Sequence, residues 1–328
     1  MDRYSHKNLI YLILIVISVL LGTIGFNISS SARQGSYYYS PFSGLPLRNQ
    51  PYTRPALAVV ENSSRARPQR GLDKATIVYE VPVEGGITRF LALFWEEVPE
   101  QIGPIRSVRS YFLDLINEYD PLLLHAGASP DGFSQLQEHN FINLDQIYNS
   151  HYYRRSEERK APHNLYTSSD YIEYLYALPP VTYEERFSFS EVKILNSNVE
   201  QAEVINIKYN NNYNVIYRYQ DQENKYYRCL FDKKNPHYME EQKIIKPRNI
   251  IIQFVKTKIK DDVGRLDVDF SDRGRALFFN SGVVDKGYWE KNEGESWPRY
   301  YDEEGSELEL MPGKTWIQIV SDYTEVEW

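Results

Sequence analysis

Between Glu80 and Arg109 the chain gathers residues able to do acid–base or anion chemistry: Glu80, Glu84, Thr88, Arg89, Arg106, Ser107 and Arg109, within EVPVEGGITRFLALFWEEVPEQIGPIRSVR. Two glycine-marked turns, Gly85-Gly86 and Gly103-Pro104, interrupt an otherwise strand-like apolar run. A carboxylate pair such as Glu80 and Glu84 suits general acid–base work, as in glycoside hydrolysis. Arginines at strand ends and turns suit bidentate capture of a carboxylate or phosphate. His125 and His163 add groups that titrate near neutral pH. Ser129 closes HAGAS, and Arg65, Arg67 and Gln69 lie in a polar loop behind a buried strand, where ligand contacts gather.

Ser107 is suited to N-cap a helix, because Val108, Phe112, Leu115, Ile116 and Tyr119 have helical spacing. A helix opening there would present free N–H groups and partial positive charge beside Arg106 and Arg109, an anion site. The alternative is that both arginines pair with Glu80 and Glu84 as structural ion pairs. Ser107 and Ser129 lack the flanking glycines of a nucleophile elbow. No spacing matches a metal motif, although folding can bring His125, His163 and a glutamate together. No metal and no cofactor is expected.

The elements that must position these residues follow from the apolar pattern. Pro55 to Val60 reads as a buried strand. Ala75 to Val83 and Thr88 to Trp95 read as a hairpin closed at Glu84-Gly85-Gly86, with Glu80, Pro82 and Glu84 on one face. Pro121 to Leu124 is another strand, followed by a helix over Gly132 to His139. His163-Asn164 precede a helix whose first turn holds Thr167 and Asp170 at capping-box-like spacing. Pro179-Pro180 ends that helix and opens a linker to about Phe189. Short alternating strands such as VINIKY, YNVIYRYQ, KYYRCLF and TWIQIV then follow, with a hairpin turn at Asn210-Asn211-Asn212. The expected fold is an N-terminal α/β domain (41–186), a mixed sheet with helices, followed by a smaller, mainly antiparallel β domain (190–328).

Composition narrows the function classes. The 328 residues suffice for two domains. A formal charge of -8 and a pI near 5.4, with no basic tract, argue against a general nucleic-acid binder. Cys229 is the single cysteine, so neither an intrachain disulfide nor a cysteine-based zinc cage forms. With 28 Tyr against 14 Phe, many rings are expected to sit half-buried on strands with their hydroxyls in solvent, or to serve carbohydrate or peptide contacts.

Leu9 to Phe26 is uncharged, and at about 18 residues it just spans a hydrocarbon core. Arg3 and Lys7 precede it, which sends the bulk of the chain across the membrane. Residues 1–28 are therefore expected to be an anchor, the run being longer than a signal-peptide core, with cleavage after the small residues Ser30 and Ala32 as the alternative. Residues 29–40 form a tether.

NSSRARPQRGLDKATIVYE, VEGGITRFLALF, IGPIRSVRSYFLDL, HAGASP and RKAPHNLY, with GRLDVDFSDRGRALFFNSGVVDKGYW and GSELELMPGKTWIQIV, resemble the YerB-like putative lipoprotein family of bacterial extracytoplasmic proteins. The resemblance covers most of the chain beyond residue 40 and implies export and a two-domain body. It carries no accepted catalytic residues. The chain departs from the lipoprotein pattern in having no cysteine near its N-terminal apolar stretch, which puts a transmembrane anchor in place of a lipid. The function expected is binding of an anionic cell-wall component or an envelope protein through an Arg/Glu/His cluster. The alternatives are hydrolysis of a wall component and a structural scaffold.

Overall fold

The computed structural model describes residues 38–48, 54–191, 200–231, 234–293, 295 and 297–328. The expected membrane segment, Leu9 to Phe26, lies outside the described residues. Among the described residues no helix is long and apolar enough to cross a membrane.

The chain from Ala56 builds one large mixed sheet. Its first strands are β1 (Ala56–Glu61), β2 (Ile77–Pro82), β3 (Thr88–Phe94), β4 (Leu122–His125) and β5 (Asn143–Asp145). β1 and β3 are buried at every residue, which explains their unbroken apolar composition: both faces are covered. Among the described residues there are three short α-helices: α1 (Phe112–Ile116), α2 (Pro130–Glu138) and α3 (Asp170–Ala177). The expected β2–β3 hairpin forms, in the register Glu80↔Phe90 and Pro82↔Thr88.

The later strands are β6 (Val204–Asn210), β7 (Tyr213–Gln220), β8 (Lys225–Leu230), β9 (Asn249–Ile259), β10 (Asp272–Asn280), β11 (Val283–Lys291), β12 (Thr315–Ser321) and β13 (Glu325–Glu327). They divide between two sheets. β8, β7, β6 and β13 form a four-stranded sheet in that order, β6 and β7 being joined at the asparagine turn. β11, β10, β9 and β12 instead continue the large sheet, whose order runs β11-β10-β9-β12-β2-β3-β1-β4-β5.

The joint between early and late segments is the parallel pair β12–β2, from Thr315↔Ile77 to Gln318↔Glu80. The sheet is therefore continuous across the expected boundary near residues 186–190. The late strands are mostly antiparallel, but β9 and β12 are parallel to each other. Sheet dominates, with 43% strand against 16% helix, so the α/β description overstates the helices. The expected linker is docked rather than free. Arg186 is buried, pairs with Glu118, donates to the Tyr79 hydroxyl at 2.7 Å and lies 4.7 Å over the Tyr119 ring. Tyr79 and Tyr119 are buried completely with their hydroxyls 2.7 Å apart, against the expectation of solvent-facing hydroxyls.

Candidate functional site

The parallel neighbours β1 and β4 pair only as far as Ala58↔Leu124 and then part. Residues 105–108 fill the gap as extended chain: Arg106 N donates to Val59 O (2.9 Å) and Ala126 N to Arg106 O (3.1 Å). Beyond them Val108 N donates to Gly127 O and Ser129 N to Val108 O, both at 3.0 Å. This pairing overturns the helix expected over 107–119. Arg106 and Val108 spend their backbone on β1 and on the segment after β4, and Ser107 O accepts from Arg89, so Ser107 caps nothing, and the helix starts only at Phe112, behind Tyr111. A five-residue helix supplies no anion site of its own.

β1 is flanked by β3 on one side and β4 on the other, because the chain first turns to β2 and β3 and later returns to β4 and β5. In open sheets the crevice at such a reversal, outside the carboxyl ends of parallel strands, is where ligands commonly bind. The carboxyl end of β1 is Glu61. Its carboxylate is 2% exposed; Oε1 accepts from Ser63 Oγ (2.7 Å) and from the Nδ1–H of His163 (2.8 Å). Oε2 lies 3.5 Å from Arg106 Nε, and neither atom has a hydrogen-bond partner among the described residues.

Next to it, Arg109 grips Glu84 with two nitrogens, Nε to Oε2 at 3.0 Å and Nη2 to Oε1. Burial pushes the Glu84 carboxyl up, but the hydrogen bond and charge of Arg109, with help from its own backbone N–H and Arg89, hold it down at about 2. Arg89 is 3% exposed. It donates Nη1 to Ser107 O at 2.5 Å and reaches to 3.7 Å from Glu84, while its Nε is buried without a partner. Burial, then the charge of Arg109, lowers this guanidinium to about 9 despite Glu84. The notch thus holds three guanidinium groups, Arg89, Arg106 and Arg109, against two carboxylates, Glu61 and Glu84.

Glu80 is elsewhere. The strand ends at Pro82, so the alternation does not carry Glu84 onto the face of Glu80. Glu80 is fully buried under the four-stranded sheet, accepting from Asn62 (3.0 Å), Thr88 (2.8 Å), Tyr213 (2.5 Å) and Arg228 Nη2 (2.8 Å). Arg228 Nη1 donates to His237 Nδ1, and His237 Nε2–H donates to Gln69 Oε1 at 2.8 Å. Burial first, then the charge of Arg228, keeps His237 neutral, well below the usual imidazole range. Glu80 and Thr88 therefore belong to a closed structural network, and Glu80 and Glu84 form no acid–base pair.

The remaining expected site residues disperse. His125 is buried, its ring nitrogens 3.0 Å from Gly127 O and 3.2 Å from Asn143 Oδ1, and it does not meet His163. Among the described residues no cluster suited to a metal exists. Ser129 caps α2, accepting from Gly132 N at 3.3 Å. Arg65 is exposed on the turn Ser64–Ala66. Thr167 lies in the strand Leu165–Thr167, its hydroxyl accepting from Ile102 N at 2.8 Å, so it opens no capping box. Sequence reasoning missed Glu61, Asn62, Tyr213, Arg228 and His237. The one signal for Arg228 was a charge inside the apolar run YYRCLF, which a buried partner explains but a solvent-facing strand position would explain as well.

Comparison with known proteins places this architecture. Residues 42–177 match the N-terminal domain, and residues 205–317 the C-terminal domain, of the family described as "Protein of unknown function (DUF3048)". The chain belongs to the DUF3048 family. It is 35% identical over 294 residues to "Putative lipoprotein YerB" of Bacillus subtilis strain 168, covering 86% of each chain. It is also similar to the crystal structure of YerB protein from Bacillus subtilis, with a TM-score of 0.78 and 32% identity over 89% of this chain and 100% of that one. The two DUF3048 domain models meet in this chain at the β12–β2 pairing, inside one sheet.

Proposed function

We propose that this DUF3048 protein is an extracytoplasmic protein of the cell envelope, held at the membrane by its N-terminal segment, that binds an anionic envelope component in the notch at the end of β1. Location is supported by the uncharged run Leu9 to Phe26 and by the lipoprotein name of the relative. The observation that carries the ligand class is Arg89: a nearly fully buried guanidinium with an unspent Nε, in a notch where arginines outnumber carboxylates. Holding such a charge out of water is costly, and an anion that pairs with it would offset the cost. Arg106, 28% exposed, and His163, 18% exposed, stand where an entering carboxylate or phosphate would meet them.

The test is calorimetric titration of the full chain with muropeptides and with anionic wall-polymer fragments, repeated on Arg106→Ala. Loss of one charge-assisted contact is expected to weaken binding by about tenfold or more, since such contacts contribute about 1.5–3 kcal/mol. Absence of binding in the natural chain, or equal binding in the variant, would remove the proposal.

A further inference from the structure

A cavity of about 470 Å³ is lined by Asn62, Arg67, Tyr213 and the Gly85-Gly86 turn but by none of the notch arginines. Its volume falls in the range typical of small-molecule sites. The inner wall is built in advance. Asn62 is fixed by Glu80, Thr88 and Tyr213 on its nitrogen, and by Arg67 Nε (3.1 Å) and Gln69 Nε2 (3.2 Å) on its oxygen. Arg67 in turn donates Nη2 to Asn62 O at 2.7 Å and lies 5.4 Å over the Tyr213 ring. At the turn Gly85 and Gly86 take φ values of +77° and +70°, and a Cβ at Gly85 would meet nothing within 4 Å.

The rim differs in kind from the notch. Asn211 and Asn212 are exposed on the turn between β6 and β7. Phe231, also lining the cavity, is 57% exposed and has φ +64°, a backbone region that bulky side chains rarely occupy. An aromatic ring kept exposed at such an outlier is the kind of feature that clusters at ligand clamps.

We propose that this cavity binds a neutral saccharide. Primary amides present donor and acceptor together, as sugar hydroxyls and acetamido groups require. The exposed Phe231 ring offers an apolar face for the C–H side of a pyranose. Arg67 is the one charged residue in the lining, and Asn62 already occupies two of its nitrogens, so nothing here asks for an anionic ligand. This inference does not rest on the arginine notch.

The experiment is titration of the full chain with a neutral β-linked N-acetylglucosamine trisaccharide and, separately, a neutral glucose trisaccharide, on the natural chain and on Phe231→Ala, Asn211→Ala and Arg106→Ala. Both rim residues are exposed, and thermal melts check that their variants stay folded. One of the two saccharides is expected to bind, with affinity about tenfold weaker in the Phe231 and Asn211 variants and unchanged in Arg106→Ala. Failure of both saccharides to bind at millimolar concentration, or equal binding by the two rim variants, would overturn the inference.

Discussion

Replacing Glu80 by alanine should destabilise the fold without touching the proposed notch. Glu80 and Arg228 are both 0% exposed and 2.8 Å apart, so the substitution leaves a guanidinium with no counter-charge in a water-free interior. Removing one partner of such a pair costs about 3–5 kcal/mol. Asn62, Thr88 and Tyr213 also lose an acceptor, and a buried donor left unmade costs about 1–3 kcal/mol. These losses overlap, because the same side chains relax together, so a total of at least about 4 kcal/mol is expected. At about 2–4 °C per kcal/mol for chains of this order of size, the melting temperature should fall by roughly 8 °C or more. Urea unfolding followed by tryptophan fluorescence reads the change locally, since Trp316 packs against Phe90 and lies 5.4 Å from the Arg228 guanidinium. The double variant Glu80→Met with Arg228→Met is the decisive comparison. Apolar replacement of a buried pair is often neutral, so it should recover most of the loss. A loss below about 1 kcal/mol in Glu80→Ala, or a double variant in which the two losses simply add, would refute the reasoning.

Two further outcomes follow from the same geometry. The Glu84 carboxyl is held at about 2 in the fold against 4.5 for the free group, so its stabilisation is complete above pH 4.5 and lost as the pH falls through 2; with the side chain 27% exposed and the pair screened by solvent, Glu84→Gln should remove about 1 kcal/mol at pH 7 and flatten the acid limb of a stability–pH curve. A Cβ at Gly287 would lie 1.9 Å from Tyr301 O on the neighbouring strand, so Gly287→Ala should cost about 3 kcal/mol in urea unfolding and release the edge strand Arg299–Asp302 first in hydrogen exchange.

What was legible beforehand is the set of features encoded within a few residues of one another. The β2–β3 hairpin, the buried β1, the stop at Pro179 and the asparagine turn each depend on apolar alternation and on glycine, proline or asparagine at a chain reversal. Arg89 and Arg109, which flank two turns in one short stretch with Glu84, lie against its carboxylate, while Arg106 faces Glu61 instead. The helix over 107–119 was not legible as false. Its apolar spacing is real, but backbone bonds to Val59, Ala126 and Gly127 outcompete a local helix at its first residues.

The sequence by itself determined where most strands and turns fall and that no basic tract is present, because propensity and charge are local or additive quantities. Only the tertiary structure decided which charges meet. Glu80 finds Arg228 148 positions away, His163 finds Glu61 102 positions away, and β12 returns to β2 to join two segments into one sheet. Partner choice across such separations is set by strand order and by the penalty on any buried charge left alone, neither of which is written in the neighbouring residues.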